Sequence, residues 1–432
     1  MSKTTRIIEV KDLARVEGEG ALHVTLKGDV IEHLEFSIHE PPRYFEALLQ
    51  GRSFREAPDI TARICGICPV AYMMGASQAM EDALGITVGG PLRALRRLVY
   101  CGEWIESHVL HIYMLHAPDF LGFEDSIQLA AKMPAVVEKA LRLKKLGNTL
   151  LETVGGGRAI HPINLTVGGF YKLPTKAAIK GLAEELKWAI EASLDTIRLV
   201  STFDFPPIER DYTFVAMRHE DEYAITEGRL ISNRGLDIPV QAFHDHFEER
   251  HERRSNALHS VLKNGGEYLV GPLARYALNH DKLSPLAQAE AKAAGLGKVV
   301  RNPFQSIVVR AVETLQVCED ALRIVENYEE PDDSCITVTP GAGTGSGCTE
   351  APRGICHHTY SLDAEGRITK ATIVPPTSQN QGSIEGDLWD VVKANLKRPD
   401  AELQWICEQA VRNYDPCISC ATHFLKLNIE RG

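Results

Sequence analysis

The pattern of apolar and polar positions predicts strands at the amino end of the chain and helices after it. Apolar and polar residues alternate through the segments RIIEV, ALHVTL and VIEHLEFSI, with a turn at Lys27-Gly28-Asp29. This period of two is typical of strands that bury one face, so the segments predict an antiparallel hairpin sheet. After Pro91 the apolar residues recur every three or four positions, which predicts a long helix that runs to about Ala117-Pro118.

The remaining pattern predicts a mostly helical chain. A second hairpin is predicted from ICHHTYSL and RITKATIV, and the glycine-rich segments 154–169 and 339–347 are predicted to be loops. Further helices are predicted at 125–149, 175–201, 304–327, 384–396 and 399–413. We therefore expect a mainly α protein with small β elements, which is an α+β fold class.

Length and composition favour one large subunit. The chain has 432 residues, of which 44% are hydrophobic and 24% are charged, as expected for a globular protein with a substantial core. We divide residues 1–423 of this subunit into a β-rich part at 1–60, a helical body at 61–330, and a part at 331–423 with the second hairpin and the last helices.

Charge and hydropathy argue against two classes of function. The formal net charge is -11 and no basic cluster is present, so nucleic-acid binding has no electrostatic support. No stretch approaches the roughly 20 apolar residues of a membrane span, and the amino end lacks the apolar run of a secretory signal. We therefore expect no membrane span and a cytoplasmic location, unless a partner carries the chain elsewhere.

Two CxxC pairs carry the strongest chemical signal. Cys65 and Cys68 lie in RICGICP, and Cys417 and Cys420 lie in DPCISCATH. A two-residue gap lets both sulfurs of a pair reach one metal site, and thiolates suit nickel, iron and zinc, so spacing does not choose the metal. Two such pairs most often hold structural zinc, but zinc ribbons bring their pairs together within about 15–20 residues. Pairs at opposite ends of a long chain favour a buried catalytic centre.

The residues around these cysteines resemble the signature motifs of nickel–iron hydrogenase large subunits. The resemblance runs from Arg15 to His423 and implies the large-subunit fold of that family, which is related to a subunit of respiratory complex I. That related subunit typically lacks the four cysteines. The other matching segments follow in the family's order and are RVEG at 15–18, RYFE at 43–46, GGR at 156–158, HP at 161–162, GG at 168–169, EAPRG at 350–354 and PTSQN at 376–380.

The resemblance implies a nickel–iron centre on the four cysteines. Cys65 and Cys417 would be terminal ligands of nickel, and Cys68 and Cys420 would bridge nickel and iron. In this family the iron also carries carbon monoxide and cyanide ligands. We expect no iron–sulfur cluster or flavin in this chain, because it has no spare cysteine quartet with ferredoxin spacing.

Two further residues would have catalytic roles by the same resemblance. Glu17 would relay protons to and from Cys417, and Arg353 would face the diatomic ligands of iron. Without the resemblance, Glu17 would be interpreted as a solvated carboxylate and Arg353 as a salt-bridge residue.

Five other positions would surround the centre. The backbone at Pro352 would lie beside the diatomic ligands, and Thr377 or Ser378 would hydrogen-bond a cyanide. Tyr72 stands where the family often has a histidine, so its phenol replaces an imidazole near Cys68. His161, which precedes a proline, is either part of these surroundings or an ordinary loop histidine.

The carboxyl end would carry a second metal and a removable tail. Glu46 and His423 would hold a magnesium (or iron) ion, and residues 424–432 would be removed by a maturation protease after nickel-insertion factors have acted. The alternative for these residues is a permanent terminal strand, because apolar residues alternate within FLKLNI.

The function implied is reversible, heterolytic H2 oxidation and proton reduction. Electrons would pass through an iron–sulfur small subunit and further flavin and iron–sulfur subunits to NAD or NADP, because the chain is short for the family and its glycine-rich segment resembles those of soluble bidirectional enzymes. The alternatives are a deazaflavin- or heterodisulfide-linked hydrogenase, a hydrogen sensor with the same metal site, and a structural zinc protein.

Overall fold

Helices dominate the part of the chain that the structure describes. The computed structural model describes residues 5–422, so the predicted ligand His423 and the predicted tail 424–432 lie outside it. The first helices are α1 Phe45–Leu49, α2 Ala57–Thr61, α3 Pro69–Leu84, α4 Gly90–Val109, α5 Ala117–Leu121, α6 Ser126–Lys132, α7 Pro134–Val154, α8 Lys176–Lys180 and α9 Ala183–Val200. The later helices are α10 Phe243–His246, α11 Pro272–Asn279, α12 Pro285–Ala293, α13 Ser306–Glu326, α14 Pro376–Ala394, α15 Asp400–Arg412 and α16 Ile418–Ala421.

The strands form small antiparallel sheets, and the predicted α+β class is confirmed. The three-stranded sheets are β1-β2-β3, β6-β7-β8 and β11-β12-β13, and the pairs are β4-β5 and β9-β10. The strands are β1 Thr5–Val10, β2 Gly20–Lys27, β3 Val30–Ile38, β4 Leu165–Thr166, β5 Gly169–Phe170, β6 Val215–Arg218, β7 Arg229–Ser232, β8 Asp237–Ile238, β9 Phe247–His251, β10 Leu258–Leu262, β11 Gly343–Ala351, β12 Gly354–Leu362 and β13 Ile368–Val374.

The core is built around α4, which packs against α7 and α13. Two glycines allow α4 and α7 to approach closely, because a Cβ on Gly147 would lie 2.7 Å from the backbone nitrogen of Glu106 and a Cβ on Gly102 would lie 3.0 Å from the carbonyl of Gly147. The predicted long helix continues past Val109 as a π-helical segment, Leu110–His116, before α5 begins. No helix within residues 5–422 is both long enough and apolar enough to cross a membrane.

The structure corrects both loop predictions in part, because the segment 154–169 contains strand β4, Leu165–Thr166, and the first residue of β5. The segment 339–347 was expected to be a loop, but its second half begins strand β11 at Gly343, which pairs with β12. The alternating glycines face α3: a Cβ on Gly345 would lie 2.2 Å from the backbone nitrogen of Ala83, and one on Gly347 would lie 2.4 Å from the carbonyl of Gly75. Glycine is therefore required here for close packing of strand against helix rather than for flexibility.

Several helix boundaries also differ from the predicted ones. The helix expected at 384–396 begins eight residues earlier, at Pro376, so the PTSQN segment forms its first turns. The helix expected at 125–149 is two helices, because Pro134 starts a new one after Met133. The five strands between Val215 and Leu262 were not predicted, since each has at most five residues.

The packing of β11 on α3 gives a testable prediction. We expect Gly345→Ala to lower the free energy of unfolding by at least about 2 kcal/mol, because the new methyl group overlaps helix backbone that cannot rotate away. Gly341→Ala is the matched control, since its Cβ would lie 3.7 Å from Leu84 in ordinary contact. Denaturant unfolding of both variants measures the difference, and equal stabilities would contradict the packing argument.

Candidate metal centre

Four cysteine sulfurs from the two ends of the chain converge at one buried point. The sulfur atoms of Cys65 and Cys417 are 3.3 Å apart, those of Cys68 and Cys420 are 3.6 Å apart, and those of Cys417 and Cys420 are 2.8 Å apart. All four sulfurs lie within 4.8 Å of one another. The structure therefore brings together the four residues that the two CxxC motifs predicted as ligands.

The beginning of α3 positions the first pair. Cys68 immediately precedes this helix, and the sulfur of Cys65 accepts hydrogen bonds from the backbone nitrogens of Ile67 and Cys68, both at 3.3 Å. The carboxylate of Glu103, on α4, accepts hydrogen bonds from the next backbone nitrogens, those of Val70 at 2.6 Å and Ala71 at 3.2 Å. This buried carboxylate occupies the helix amino terminus and fixes the turn that carries the cysteines.

The second pair is held by the amino-terminal loop and by Arg43. The backbone nitrogen of Ile418 donates to the carbonyl of Glu17 at 3.0 Å. The guanidinium of Arg43 donates to the carbonyl of Ile64 at 2.6 Å and to that of Ser419 at 2.5 Å. Because Ile64 precedes the first pair and Ser419 lies within the second, Arg43 joins both CxxC segments directly.

The four clustered sulfurs are suited to binding a metal cation. Burial and the sulfurs of Cys420, Cys65 and Cys68 raise the pKa of Cys417 well above its usual range, because four thiolates at these distances would repel one another in the absence of a cation. An all-thiolate donor set suits soft or borderline metals such as nickel, iron and zinc. The hydroxyls of Ser378 and Tyr72 are also buried and lack a hydrogen-bond partner within the described chain, so polar groups remain available for a bound group.

Arg353 lies beside the centre and is almost fully buried. Its Nε donates to the carbonyl of Asp415 at 2.6 Å, and its guanidinium pairs with the Asp415 carboxylate at 3.0 Å. Although burial acts against the charged form, Asp415 and the cysteine sulfurs hold the pKa of Arg353 above its usual value. A fixed cation therefore faces the cysteines, with a contact to Ser107 at 3.4 Å.

Glu17 contacts the second CxxC pair and is half-buried. Its carboxylate accepts a hydrogen bond from the backbone nitrogen of Ser419 at 3.0 Å and another from the Ser419 hydroxyl. Burial and the charge of Cys65 raise the pKa of Glu17, while hydrogen bonds from Ser419 and Cys417 act in the other direction. The side chain is half-buried, so one carboxylate contacts both a ligand thiol and the rim of the protein.

The other predicted residues have distinct placements. The hydroxyl of Thr377 accepts from the backbone nitrogen of Cys417 at 3.0 Å, and the carbonyl of Pro352 accepts from Arg275 at 2.8 Å. Ser378 follows Thr377 in the first turn of α14. The ring of Tyr72 contacts the imidazole of His358, with ring centroids 5.8 Å apart.

The side chains of two other predicted residues hydrogen-bond the backbone. The imidazole of His161 hydrogen-bonds the carbonyl of Ala62 at 2.6 Å, so it steadies the loop that leads to Cys65 rather than contacting the sulfurs. The carboxylate of Glu46 accepts from the backbone nitrogen of Ile373 at 2.8 Å. Its predicted co-ligand, His423, is outside the described residues.

The sequence predicted no role for Glu103, Asp415 or Arg43, which lie beside the two CxxC segments. Asp415 has a left-handed backbone with φ of 51°, accepts hydrogen bonds from Arg353, and lies two residues before Cys417. Asp415 and Arg43 stood within matched motifs, which was the available signal. Glu103 stood in a predicted helix with no local signal, and only the fold places it beneath α3.

Comparison with known proteins assigns the family. The sequence profile of nickel-dependent hydrogenases matches residues 43–154 and 260–423. Sulfhydrogenase 1 subunit alpha of Pyrococcus furiosus is 32% identical over 428 residues, which cover 97% of this chain and 98% of that protein. Sulfhydrogenase 2 subunit alpha of the same organism is 32% identical over 435 residues, which cover 98% of this chain and 100% of that protein.

A solved structure supports the same assignment. The structure of an NAD+-reducing NiFe hydrogenase in the H2-reduced state matches with a TM-score of 0.90 and 25% identity, covering 98% of this chain and 100% of that chain. The family predicted from the motifs is thereby confirmed, and this chain belongs to the nickel-dependent hydrogenases.

Proposed function

We propose that this hydrogenase subunit catalyses reversible H2 oxidation on a nickel–iron centre and passes the electrons through an iron–sulfur subunit to NAD or NADP. The observation that carries the catalytic part is the buried convergence of four cysteine sulfurs from the two CxxC motifs. Such a site, closed by both ends of the chain, supports a catalytic centre over a local structural zinc site.

The four sulfurs would hold the metals. We propose Cys65 and Cys417 as terminal ligands of nickel, and Cys68 and Cys420 as bridges to an iron that carries carbon monoxide and cyanide. The buried guanidinium of Arg353 and the hydroxyls of Thr377 and Ser378 would face these diatomic ligands. When bound, the metal pair supplies Lewis acidity and takes up the electrons of H2.

Two residues, Cys417 and Glu17, would transfer the proton released from H2. The Cys417 thiol donates a hydrogen bond to the carboxylate of Glu17, and the half-buried Glu17 side chain reaches the rim of the protein. A proton on this sulfur can therefore pass to the Glu17 carboxylate without large movement, since Ser419 fixes the carboxylate by two hydrogen bonds.

A second metal and a processing step complete the proposal for the carboxyl end. Glu46 would bind magnesium (or iron) together with His423, and a maturation protease would remove residues 424–432. The mass of the nickel-loaded subunit tests the processing step directly. A mature enzyme that still ends at Gly432 would contradict it.

The electron partner would dock where the centre comes closest to the surface. Gly66, between Cys65 and Cys68, is exposed, and a Cβ on it would lie 4.0 Å from Ile160. The segments that hydrogen-bond residues 59–64, just before this turn, expose several large apolar side chains, which is unusual for surface left open to water. These residues define the Gly66 face and are Tyr44 at 45%, Ile160 at 65%, Ile163 at 40% and Tyr171 at 52% exposure.

We expect Ile160→Asp to weaken binding of the iron–sulfur subunit about thirtyfold, because an unpaired carboxylate in an apolar interface costs about 2 kcal/mol. Ile127→Asp is the matched control, since Ile127 is 76% exposed on helix α6 and lies outside the Gly66 face. Titration of the two purified subunits by light scattering or calorimetry measures both affinities. Equal weakening by both variants would contradict docking at this face.

The electron acceptor is tested on the purified complex. We expect the complex to reduce NAD or NADP with H2, in keeping with the match to an NAD+-reducing enzyme. Because these cofactors are used in the cytoplasm, we propose a cytoplasmic location for the complex. Reduction of deazaflavin or of a heterodisulfide instead would favour the alternative hydrogenase classes. Very slow turnover with every acceptor, including artificial dyes, would favour a hydrogen sensor.

A further inference from the structure

A fully buried arginine braces the turn that presents Arg353. Arg275, on α11, donates to the carbonyl of Ala351 at 2.8 Å and to that of Pro352 at 2.8 Å. The indole of Trp104 donates to the carbonyl of Glu350 at 2.9 Å. Three consecutive carbonyls before Arg353 are therefore bound by side chains from α4 and α11, which fixes the path of this turn between β11 and β12.

Arg275 is itself held rigidly. Its Nε and one terminal nitrogen each donate to the carboxylate of Glu313 at 2.8 Å, and its guanidinium lies 4.3 Å from the ring of Trp104. Arg275 and Glu313 both have fully buried side chains. Because the buried carboxylates of Glu313, at 2.8 Å, and Glu350, at 3.1 Å, both pair with it, Arg275 contributes geometry at the turn more than it contributes net charge.

Backbone packing prevents the turn from shifting towards α11. Gly271, at the start of that helix, has φ of 102°, and a Cβ on it would lie 2.5 Å from the carbonyl of Arg353. Gly354, which follows Arg353, has φ of 135°, and a Cβ on it would lie 2.8 Å from the backbone nitrogen of Gly271. The two glycines let the backbones touch, so the position of α11 sets the position of Arg353.

The contacts of Arg275 and Arg353 extend to the segment that carries Cys417. Arg353 binds both the carbonyl and the carboxylate of Asp415, two residues before Cys417. The contacts thus run from Glu313 through Arg275 and the Pro352 carbonyl to Arg353, and from Arg353 to the second CxxC segment. Pro352 and Arg353 are joined by a peptide bond, and the other steps are hydrogen bonds or ion pairs between buried groups.

We propose that Arg275, oriented by Glu313, is a positioning residue that fixes the position of the Arg353 guanidinium relative to the four-cysteine centre. This inference rests on the proposed function. Lysine cannot replace this arginine, because an ammonium lacks the planar fork that binds two carboxylates and two carbonyls together. A displaced guanidinium would change the electrostatic environment of the iron's diatomic ligands and the rate of turnover.

The test compares Arg275→Lys, Arg353→Lys and the double variant in the intact complex. Arg275→Lys is expected to lower kcat about 10- to 100-fold and to shift the carbon monoxide and cyanide infrared bands while nickel and iron are retained. In the Arg353→Lys background, Arg275→Lys should cause little further loss of kcat or band shift, because it acts through Arg353.

Arg96→Lys is the matched control. Arg96 is also a buried arginine that pairs with both oxygens of a carboxylate, that of Glu81, and donates to the carbonyl of Thr166. Its replacement is expected to lower thermal stability comparably, to leave the infrared bands in place, and to act additively with Arg353→Lys. If Arg275→Lys does not accumulate as folded protein, Glu313→Asp replaces it, with a smaller shift of the same bands expected.

The outcomes separate this inference from the proposed function. Wild-type complex without carbon monoxide and cyanide bands would overturn the proposed function itself. Wild-type bands that stay unchanged in Arg275→Lys, or effects of Arg275→Lys that simply add to those of Arg353→Lys, would overturn the positioning role and leave the proposed function standing.

Discussion

Cys417→Ser is expected to abolish H2 oxidation, with activity at least about a thousandfold below wild type. Replacing one of the four converging sulfurs is expected to disrupt the metal centre. Metal ions lower the barrier of such a reaction by several kcal/mol, and about 1.4 kcal/mol corresponds to a tenfold change in rate. The assay is H2-dependent dye reduction by the purified complex, together with nickel and iron analysis of the same samples.

Cys407→Ser is the matched control for this variant. Cys407 is equally buried, but it lies on α15 and outside the four-sulfur cluster. Burial raises the pKa of its thiol to about 12, so it is a neutral packing residue. The control should therefore retain its metals and most of its activity. Comparable losses in both variants would contradict a specific ligand role for Cys417.

Glu17→Gln is expected to lower H2 turnover about 10²- to 10⁴-fold, the usual contribution of a positioned acid–base group. Glutamine keeps the size of the side chain and can still accept the hydrogen bond from Ser419, but it cannot carry a proton. Hydrogen–deuterium exchange into H2 should fall in parallel, while the nickel and iron content stays at the wild-type level. These three measurements together distinguish proton relay from metal binding.

The neighbouring variant Glu19→Gln is the control for Glu17. Glu19 lies two residues further along the same loop and is exposed, so its replacement should leave turnover unchanged. Full turnover in Glu17→Gln would show that protons leave the centre by another route. Loss of metal from this variant would instead make Glu17 a structural support of the second CxxC segment.

Periodicity predicted those parts of the fold that bury a single face. The amino-terminal sheet has the predicted pairing, with Lys27 opposite Val30 at the hairpin turn, because one apolar side per strand defines the register. Strand β11 was missed because its glycines lack side chains and produce no apolar alternation. Its position depends on the backbone of α3, which is distant in sequence.

The four converging cysteines were predictable because their motifs are local, whereas the residues that support them were not. Each CxxC pair and its flanking residues can be identified within a few positions. By contrast, Glu103 and Arg275 are charged residues within helices, where the local pattern indicates a solvated face. Their buried partners lie 32 or more positions away, so only the folded chain places Glu103 under α3 and Arg275 behind Arg353.

We propose that the four buried cysteines hold a nickel–iron centre with diatomic ligands. Infrared spectroscopy of the native complex, between the protein and water bands and paired with nickel and iron analysis, is the decisive test of this proposal. We expect bands from one carbon monoxide and two cyanides, with nickel and iron each near one per active site. A matured sample with no such bands and a single zinc ion would contradict it and make the four cysteines a structural site.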